Sequence, residues 1–285
     1  MQDINASNKA TILAGMTEDA EYFLRDARDN KDYCVAKLKD GNLWMTQNLD
    51  HDIDSTRTYT SQDTDIPANW TPLASTRATN DTEWNEYYDE ETNPDGGDEC
   101  HPESYDPGDL YWNGEFNEGI SSDSYILSTG NSHYHLGNYY NWTAAVATND
   151  SSNYGAFDDE VDDNVNMEAN QSICPAGWTL PYFSYNYDTG EPEGDFVDLL
   201  SEYGWSWNDS MMTNPYIWNS PIRFILSGYY DGGSLSGIGN YGRSWSSTLD
   251  NNVEDAYASD AHYSGSTGSI TSYRPTGISI RCLAR

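Results

Sequence analysis

Short runs in which apolar and polar residues alternate occur near both ends of the chain. Residues 22–24 and 33–38 alternate on either side of the turn-forming segment 29–32, and this pattern predicts a β-hairpin. Residues 43–49 predict a third strand. After Pro221, four further strands separated by glycine-rich turns are predicted at residues 223–227, 243–248, 256–260 and 278–283.

Helical spacing occurs at residues 139–146 and 194–203. In the second segment, one helical face carries Phe196, Leu199, Leu200 and Tyr203. Asp195 stands at the N-terminal end, which favours an acidic side chain. Residues 1–18 are small and polar, which favours a linker. Residues 51–131 lose the periodic pattern, so we interpret them as an insertion in a single domain spanning residues 19–285. The pattern predicts an α+β protein, strand- and loop-rich, with two main helices.

The charge is strongly acidic and unevenly distributed. The chain has 47 Asp and Glu against 13 Lys and Arg, a formal net charge of −34, and 29 of the acids lie between Ala78 and Ile222, where no base occurs. Such a surface repels nucleic acid, because no basic patch exists to release counterions. The sequence contains no uninterrupted apolar stretch of about 18 residues, so no membrane span is predicted. The 10 Trp and 23 Tyr indicate a folded chain, since disordered segments are poor in aromatics.

The acidic stretch has two interpretations. Solvated carboxylates are the simpler one. The alternative is a structural Ca²⁺ site, for which residues 158–163 are a candidate without the glycine of an EF-hand loop. No other cofactor is predicted.

The four cysteines, Cys34, Cys100, Cys174 and Cys282, form no Cys-x-x-Cys pair, so zinc binding is not predicted. Their even number and wide spacing favour disulfides formed outside the cell, with three pairings open. Residues 1–15 lack the pattern of a secretory signal. Two interpretations remain open: the chain is a fragment or mature form of an extracellular or cell-surface protein, or the protein is cytosolic. The cysteine pattern favours the first.

Five motifs occur in an order that resembles a known family. They are DGNLWMTQNL at 40–49, NYYNWTAA at 138–145, ICPAGWTLP at 173–181, SWSST at 244–248 and GISIRC at 277–282. The chain resembles the Fibrobacter succinogenes major paralogous domain family, which is related to C-type lectin-like folds. The resemblance covers residues from about 26 to the C terminus and adds a second insertion at residues 182–220.

The resemblance implies a C-type lectin-like fold whose N- and C-terminal strands pair, and a disulfide between Cys174 and Cys282. Cys34 and Cys100 are then paired by elimination. Members of this family are bacterial surface or secreted proteins. Some relatives are targets of diversity-generating retroelements, which vary the side chains of a C-terminal binding face.

The segment 228–273 has the composition of a binding face. Tyrosine and tryptophan provide rigid contact area, while serine, asparagine and glycine provide adaptable hydrogen bonds. The predicted ligand-binding residues are Tyr229, Tyr230, Asp231, Ser234, Asn240, Tyr241, Arg243, Trp245, Asn251, Tyr257, His262, Tyr263 and Tyr273. We expect a ligand-binding or adhesion module for an extracellular protein or glycan, of which a diversified receptor is one form.

Two alternatives remain open. The first is a structural subunit of a surface layer or filament, in which the acidic insertion faces solvent or neighbouring copies. The second is a polysaccharide hydrolase, although the sequence nominates no pair of carboxylates for it. The histidines accompany no serine nucleophile elbow, and no glycine-rich phosphate loop occurs. We therefore predict no catalytic residues.

Overall fold

The computed structural model describes residues 1–51, 58–60, 62–64, 138–147, 167–169, 171–186, 189–206, 221–222, 227–231, 234–237, 241–250, 255–262, 268–274 and 276–285. The helices are α1 (Lys9–Gly15), α2 (Trp142–Ala145) and α3 (Asp195–Glu202). The strands are β1 (Glu21–Arg25), β2 (Asp32–Lys37), β3 (Leu43–Met45), β4 (Met167–Glu168), β5 (Trp178–Thr179), β6 (Phe183–Asn186), β7 (Glu191–Gly194), β8 (Tyr229–Asp231), β9 (Ser234–Ser236), β10 (Tyr241–Leu249), β11 (Asp255–His262), β12 (Gly268–Tyr273) and β13 (Leu283–Ala284). Within these ranges the protein is α+β and strand-rich, as predicted.

The first sheet joins the two ends of the chain, in the strand order β1-β2-β3-β13-β5. The predicted hairpin is confirmed, because β1 and β2 are antiparallel with Phe23 opposite Cys34. Leu283 of β13 lies opposite Trp44 of β3 and Thr179 of β5. The C-terminal strand is therefore inserted between β3, near the N terminus, and β5, from the middle of the chain.

A disulfide lies beside this junction. The predicted bridge between Cys174 and Cys282 is confirmed: both residues are fully buried and their Cα atoms are 5.8 Å apart. Cys34 is also disulfide-bonded. Its predicted partner, Cys100, lies outside the described residues.

The second sheet has the order β12-β11-β10-β4. Its strands are antiparallel, with Arg243 of β10 opposite Asp260 of β11 and Tyr257 of β11 opposite Thr271 of β12. Two separate hairpins, β6–β7 and β8–β9, accompany the sheet. The hairpin β8–β9 is attached to β10 by a parallel bridge between Gly228 and Gly242.

Two apolar clusters fill the interior. The first contains the fully buried Trp142, Trp178 and Trp245, and the second is built around Trp44 and Phe196, whose ring centroids are 5.3 Å apart. Among the described residues, most aromatic side chains are therefore part of the core.

The two predicted helices differ in their outcome. Helix α3 is confirmed, and Phe196, Leu199 and Leu200 are buried as the periodicity predicts. Helix α2 has only four residues, because Tyr140 is still extended and forms a bridge with Ile278.

The N-terminal segment is more ordered than the predicted linker. It contains α1, and Met1 and Ile4 are buried in the first cluster. The indole Nε1 of Trp178 donates to the Met1 carbonyl oxygen at 3.2 Å, and the Met1 amino group donates to the Arg25 carbonyl oxygen at 2.6 Å. The segment is ordered although it has few apolar residues, because it packs against and hydrogen-bonds to residues that are distant in sequence.

A buried ion pair links the first hairpin to the disulfide region. Asp26 and Arg28 have fully buried side chains, with Arg28 Nη2 2.6 Å from Asp26 Oδ2, and Arg28 Nη1 donates to the Ile173 carbonyl oxygen. Burial alone would raise the pKa of the Asp26 carboxyl, but the charge and hydrogen bonds of Arg28 outweigh it, so this pKa lies below its usual value.

Replacing Cys174 and Cys282 together by alanine should lower the free energy of unfolding. The bridge spans 108 residues of sequence, and the chain-entropy model assigns about 5 kcal/mol to a loop of that size. Urea unfolding followed by tryptophan fluorescence measures the change. An unchanged midpoint would contradict the view that this bridge constrains the unfolded chain.

Replacing Asp26 by asparagine should cost about 3–5 kcal/mol at pH 7, because it leaves the buried Arg28 guanidinium without its counter-charge. The depressed pKa of Asp26 means that its stabilisation is complete above the unfolded-state pKa of about 3.9 and is lost as the pH falls through the lower folded value. The difference between wild type and Asp26→Asn should therefore shrink in acid.

Asp32→Asn is the matched control, because Asp32 pairs with Arg25 at the surface, where the Arg25 side chain is 63% exposed. Its cost should stay below about 1 kcal/mol. Equal losses for the two variants, measured by urea unfolding between pH 3 and pH 7, would show that burial of the Asp26–Arg28 pair has no special effect.

Candidate functional site

Four residues at one end of the second sheet form a compact polar and aromatic cluster, which we call the arginine clamp. They are Tyr229 of β8, Tyr241 and Arg243 of β10, and Asp260 of β11. The backbone brings them together, since Gly228 N donates to the Tyr241 carbonyl oxygen at 2.7 Å and Arg243 lies opposite Asp260 in the strand register.

The guanidinium of Arg243 contacts both tyrosine rings. Its Cζ lies 4.3 Å from the centroid of the Tyr229 ring and 4.8 Å from that of Tyr241. The two rings are 5.8 Å apart at an interplanar angle of 74°. These distances lie within the range of cation–π attraction, so the rings orient the guanidinium as well as cover it.

The hydrogen-bonding capacity of Arg243 is only partly used. Its Nε lies 3.4 Å from Asp260 Oδ1, a long contact that balances the charge locally. Within the described part of the chain, Nη1 and Nη2 donate to no protein atom. The side chain is 17% exposed. The planar fork of the guanidinium is therefore held in place while its outer donors remain available.

The backbone at Gly237 packs against the two tyrosine rings of the arginine clamp. It has a φ of +71°, and a Cβ placed there would lie 2.5 Å from Tyr241 Cδ2 and 3.3 Å from Tyr229 Cε1. The Gly237 carbonyl oxygen also accepts from Tyr241 N at 2.9 Å. The close approach of this backbone requires glycine and fixes the positions of both rings.

The predicted binding residues do not form one surface. Successive residues of a strand point to opposite faces of a sheet. Tyr241, Arg243 and Trp245 share one face of the second sheet, while Tyr257 and Tyr273 lie on the other face. The composition of the segment could not separate the two faces.

Burial divides the set further. Trp245 and Tyr257 are core residues, 0% and 2% exposed, and Trp245 Nε1 donates to the Tyr140 carbonyl oxygen at 2.7 Å. They are too deeply buried to contact a ligand at the surface. Tyr230 is half-buried, and its backbone pairs with Gly277. Tyr273 is 55% exposed.

The remaining predicted positions are described by their backbone or not at all. Asp231 and Ser234 lie opposite each other in the hairpin β8–β9, and His262 lies opposite Tyr241. Asn240, Asn251 and Tyr263 lie outside the described residues.

Sequence reasoning did not select Asp260 or Gly237. A usable signal existed for Asp260, because pairing the two predicted strands 243–248 and 256–260 as a hairpin brings Arg243 towards it. No signal identified Gly237 among the 23 glycines of the chain.

A second polar cluster lies at the turn of the hairpin β1–β2. Among the described residues, Asp26, Asp29 and His51 are the one group whose metal-ligating atoms all lie within 4.8 Å of one another. Its hydrogen bonds already use these atoms: His51 Nδ1 is 2.9 Å from Asp29 Oδ2, and His51 Nε2 is 2.9 Å from the Tyr59 hydroxyl.

A cation at this cluster would compete with groups that are already in place. Asp26 is bonded to the Arg28 guanidinium, which supplies the positive charge that an ion would bring. The arrangement is that of a structural network. The Ca²⁺ site considered at residues 158–163 lies outside the described residues.

In the described part of the chain, no helix is long and apolar enough to cross a bilayer. A scan against protein-family models finds no match to this chain, and neither a search of curated proteins nor a search of solved structures finds one. The arginine clamp is therefore interpreted from its own geometry.

Proposed function

We propose that this protein is an extracellular ligand-binding or adhesion module and that the arginine clamp is its principal contact point. One observation carries the proposal. The Arg243 guanidinium lies against two tyrosine rings, while its Nη groups have no hydrogen-bond partner among the described residues. This role is one of binding without catalysis.

The chemistry of the clamp favours a ligand with a carboxylate group. The two Nη groups of arginine form a planar fork that matches the two oxygens of a carboxylate. Because the rings of Tyr229 and Tyr241 already restrict the side chain, little rotational freedom is lost on binding. A carboxylated glycan or an acidic side chain of an extracellular protein fits this description.

The net charge of −34 limits how such a ligand approaches. The overall field repels an anion, but at physiological ionic strength it is screened beyond about 8 Å. The affinity for an anionic ligand then depends on its short-range contact with Arg243. Binding should be specific to this point and should not reflect general electrostatic attraction.

Two further observations support an extracellular module. The buried Cys174–Cys282 bridge suits an oxidising compartment. The pairing of β3 with β13 agrees with the C-type lectin-like architecture that the family resemblance implies. The face that carries the clamp belongs to the C-terminal third, where diversity-generating retroelements act in some relatives of that family.

Replacing Arg243 by glutamine should abolish most of the binding to carboxylated ligands found on a glycan and protein array. Loss of a bidentate charge-assisted contact costs about 2 kcal/mol, or roughly thirtyfold in affinity. Arg243→Lys should recover only part of it, because an ammonium group cannot reproduce the planar fork. Affinity is measured by calorimetry with the best array ligand.

Arg25→Gln is the matched control, since it removes the same charge from an exposed arginine on β1. It should leave affinity unchanged. Equal weakening by both variants would point to the overall field, and retention of affinity by Arg243→Gln would place the contact elsewhere.

Replacing Gly237 by alanine should weaken ligand binding by displacing the Tyr241 ring, which the new Cβ would approach to 2.5 Å. Gly41→Ala is its control, because Gly41 has a similar φ of +80° and no atom within 4 Å of its Cβ position. Both variants should lose about 1 kcal/mol of stability through the left-handed backbone. Only Gly237→Ala should also lose affinity, and a loss with Gly41→Ala would refute the role of ring contact.

A further inference from the structure

In the described part of the chain, β12 is an edge strand whose outer side pairs with no other strand. Its inner edge pairs with β11 at six successive positions, from Asp260 opposite Gly268 to Asp255 opposite Tyr273. No strand of the described residues pairs with the other side, where β12 ends the sheet. Apart from the turn bond from Thr276 N to the Tyr273 carbonyl oxygen, no further backbone hydrogen bond of β12 occurs in the described part of the chain.

The sequence of β12 carries none of the usual protection of a sheet edge. It reads Gly-Ser-Ile-Thr-Ser-Tyr, without a charged residue or proline, and its register with β11 has no bulge. Natural edges are commonly blocked by charges, prolines or bulges. The edge strand of the first sheet, β1, contains Glu21 and Arg25 and fits that rule. Among the described residues, nothing blocks the edge of β12 from pairing with another strand.

We infer that β12 pairs with β12 of a second copy of this chain, edge to edge and antiparallel, to join two four-stranded sheets. The charge distribution favours a second copy of the chain as the partner of β12. Two copies with a net charge of −34 each repel one another, so contact is least costly where both surfaces are uncharged. Both edges of the pair meet that condition, because they are the same neutral segment.

Two-fold symmetry restricts the register. An axis perpendicular to the sheet keeps equivalent faces on the same side and passes midway between one residue and its own copy on the facing strand. With Thr271 on the axis, Tyr273 lies opposite Ser269 of the second copy. Thr271 is exposed and Tyr273 is 55% exposed in the single chain. This register covers the exposed tyrosine with a cross-strand neighbour, an arrangement that stabilises antiparallel pairs.

The pairing leaves the arginine clamp accessible. Thr271 and Tyr273 lie on the same face of the sheet as Tyr257, and Arg243 lies on the opposite face. Because the axis is perpendicular to the sheet, the two clamps of the pair lie on the same side of the joined sheet. A surface that displays many ligands can then engage both clamps, which raises the overall avidity.

The association should strengthen with salt. Repulsion between the acidic surfaces is screened as the ionic strength rises, whereas the backbone pairing is not. Sedimentation equilibrium of the intact chain should give a monomer–dimer equilibrium whose dissociation constant falls between about 0.05 and about 0.5 M NaCl. A monomer at every salt and protein concentration would overturn the inference.

Substitutions at Thr271 test the site of contact. Thr271→Glu and Thr271→Lys change the net charge in opposite directions, yet each places like charges opposite one another on the axis. Both should weaken the dimer by about fivefold or more. Thr189→Glu and Thr189→Lys, at an exposed position in the β6–β7 turn, are the controls. Opposite effects of the two Thr271 variants would indicate general electrostatics and would overturn the proposed register.

A cross-link gives a direct measurement. Thr271→Cys should form a covalent dimer on mild oxidation, because directly opposed residues of antiparallel strands have Cβ atoms about 4.5–5.5 Å apart. Thr189→Cys should remain monomeric under the same conditions. Equal cross-linking of both variants, or none with Thr271→Cys, would contradict the pairing. Since neither measurement involves a ligand, the result is independent of the function proposed for the clamp.

Discussion

The structure depends on the closure of the chain onto itself at β13. This two-residue strand lies between β3 and β5, and Met45 N donates to the Cys282 carbonyl oxygen at 2.9 Å. The Cys174–Cys282 bridge lies at the same junction and joins segments 108 residues apart. Because both apolar clusters include residues from the two ends of the chain, neither cluster is complete unless the ends meet. The closure is thus a condition for the core and for everything placed on it.

The second sheet shows how one strand contributes both to the core and to the proposed binding site. Along β10, Tyr241, Arg243 and Trp245 share a face, but Trp245 is buried in the first cluster while Arg243 remains accessible at the other end. The buried end fixes the position of the strand, and the strand fixes the clamp. A guanidinium held by two rings on a rigid strand loses little freedom on binding, which distinguishes it from an arginine on a mobile loop.

Local patterns predicted the local elements well. The hairpin β1–β2 and helix α3 follow from alternation and helical periodicity, because the backbone hydrogen bonds of each element join residues that are close in sequence. The bridge between Cys174 and Cys282 came from the resemblance of the motifs around them. The order of the N-terminal segment was not predictable, because Met1 and Ile4 are held by Trp178 and other residues far along the chain. No pattern within residues 1–18 encodes those partners.

The sequence by itself determined an acidic, aromatic-rich α+β chain with its binding composition concentrated in the C-terminal third. Composition gives the number of tyrosines, tryptophans and arginines, but it does not specify the direction in which each side chain points. Only the tertiary structure decided that Trp245 and Tyr257 belong to the core, that Arg243 meets Tyr229 and Asp260, and that Tyr273 faces away from them. The physical reason is that a strand alternates its side chains between two faces, and the packing of distant segments decides which face is covered.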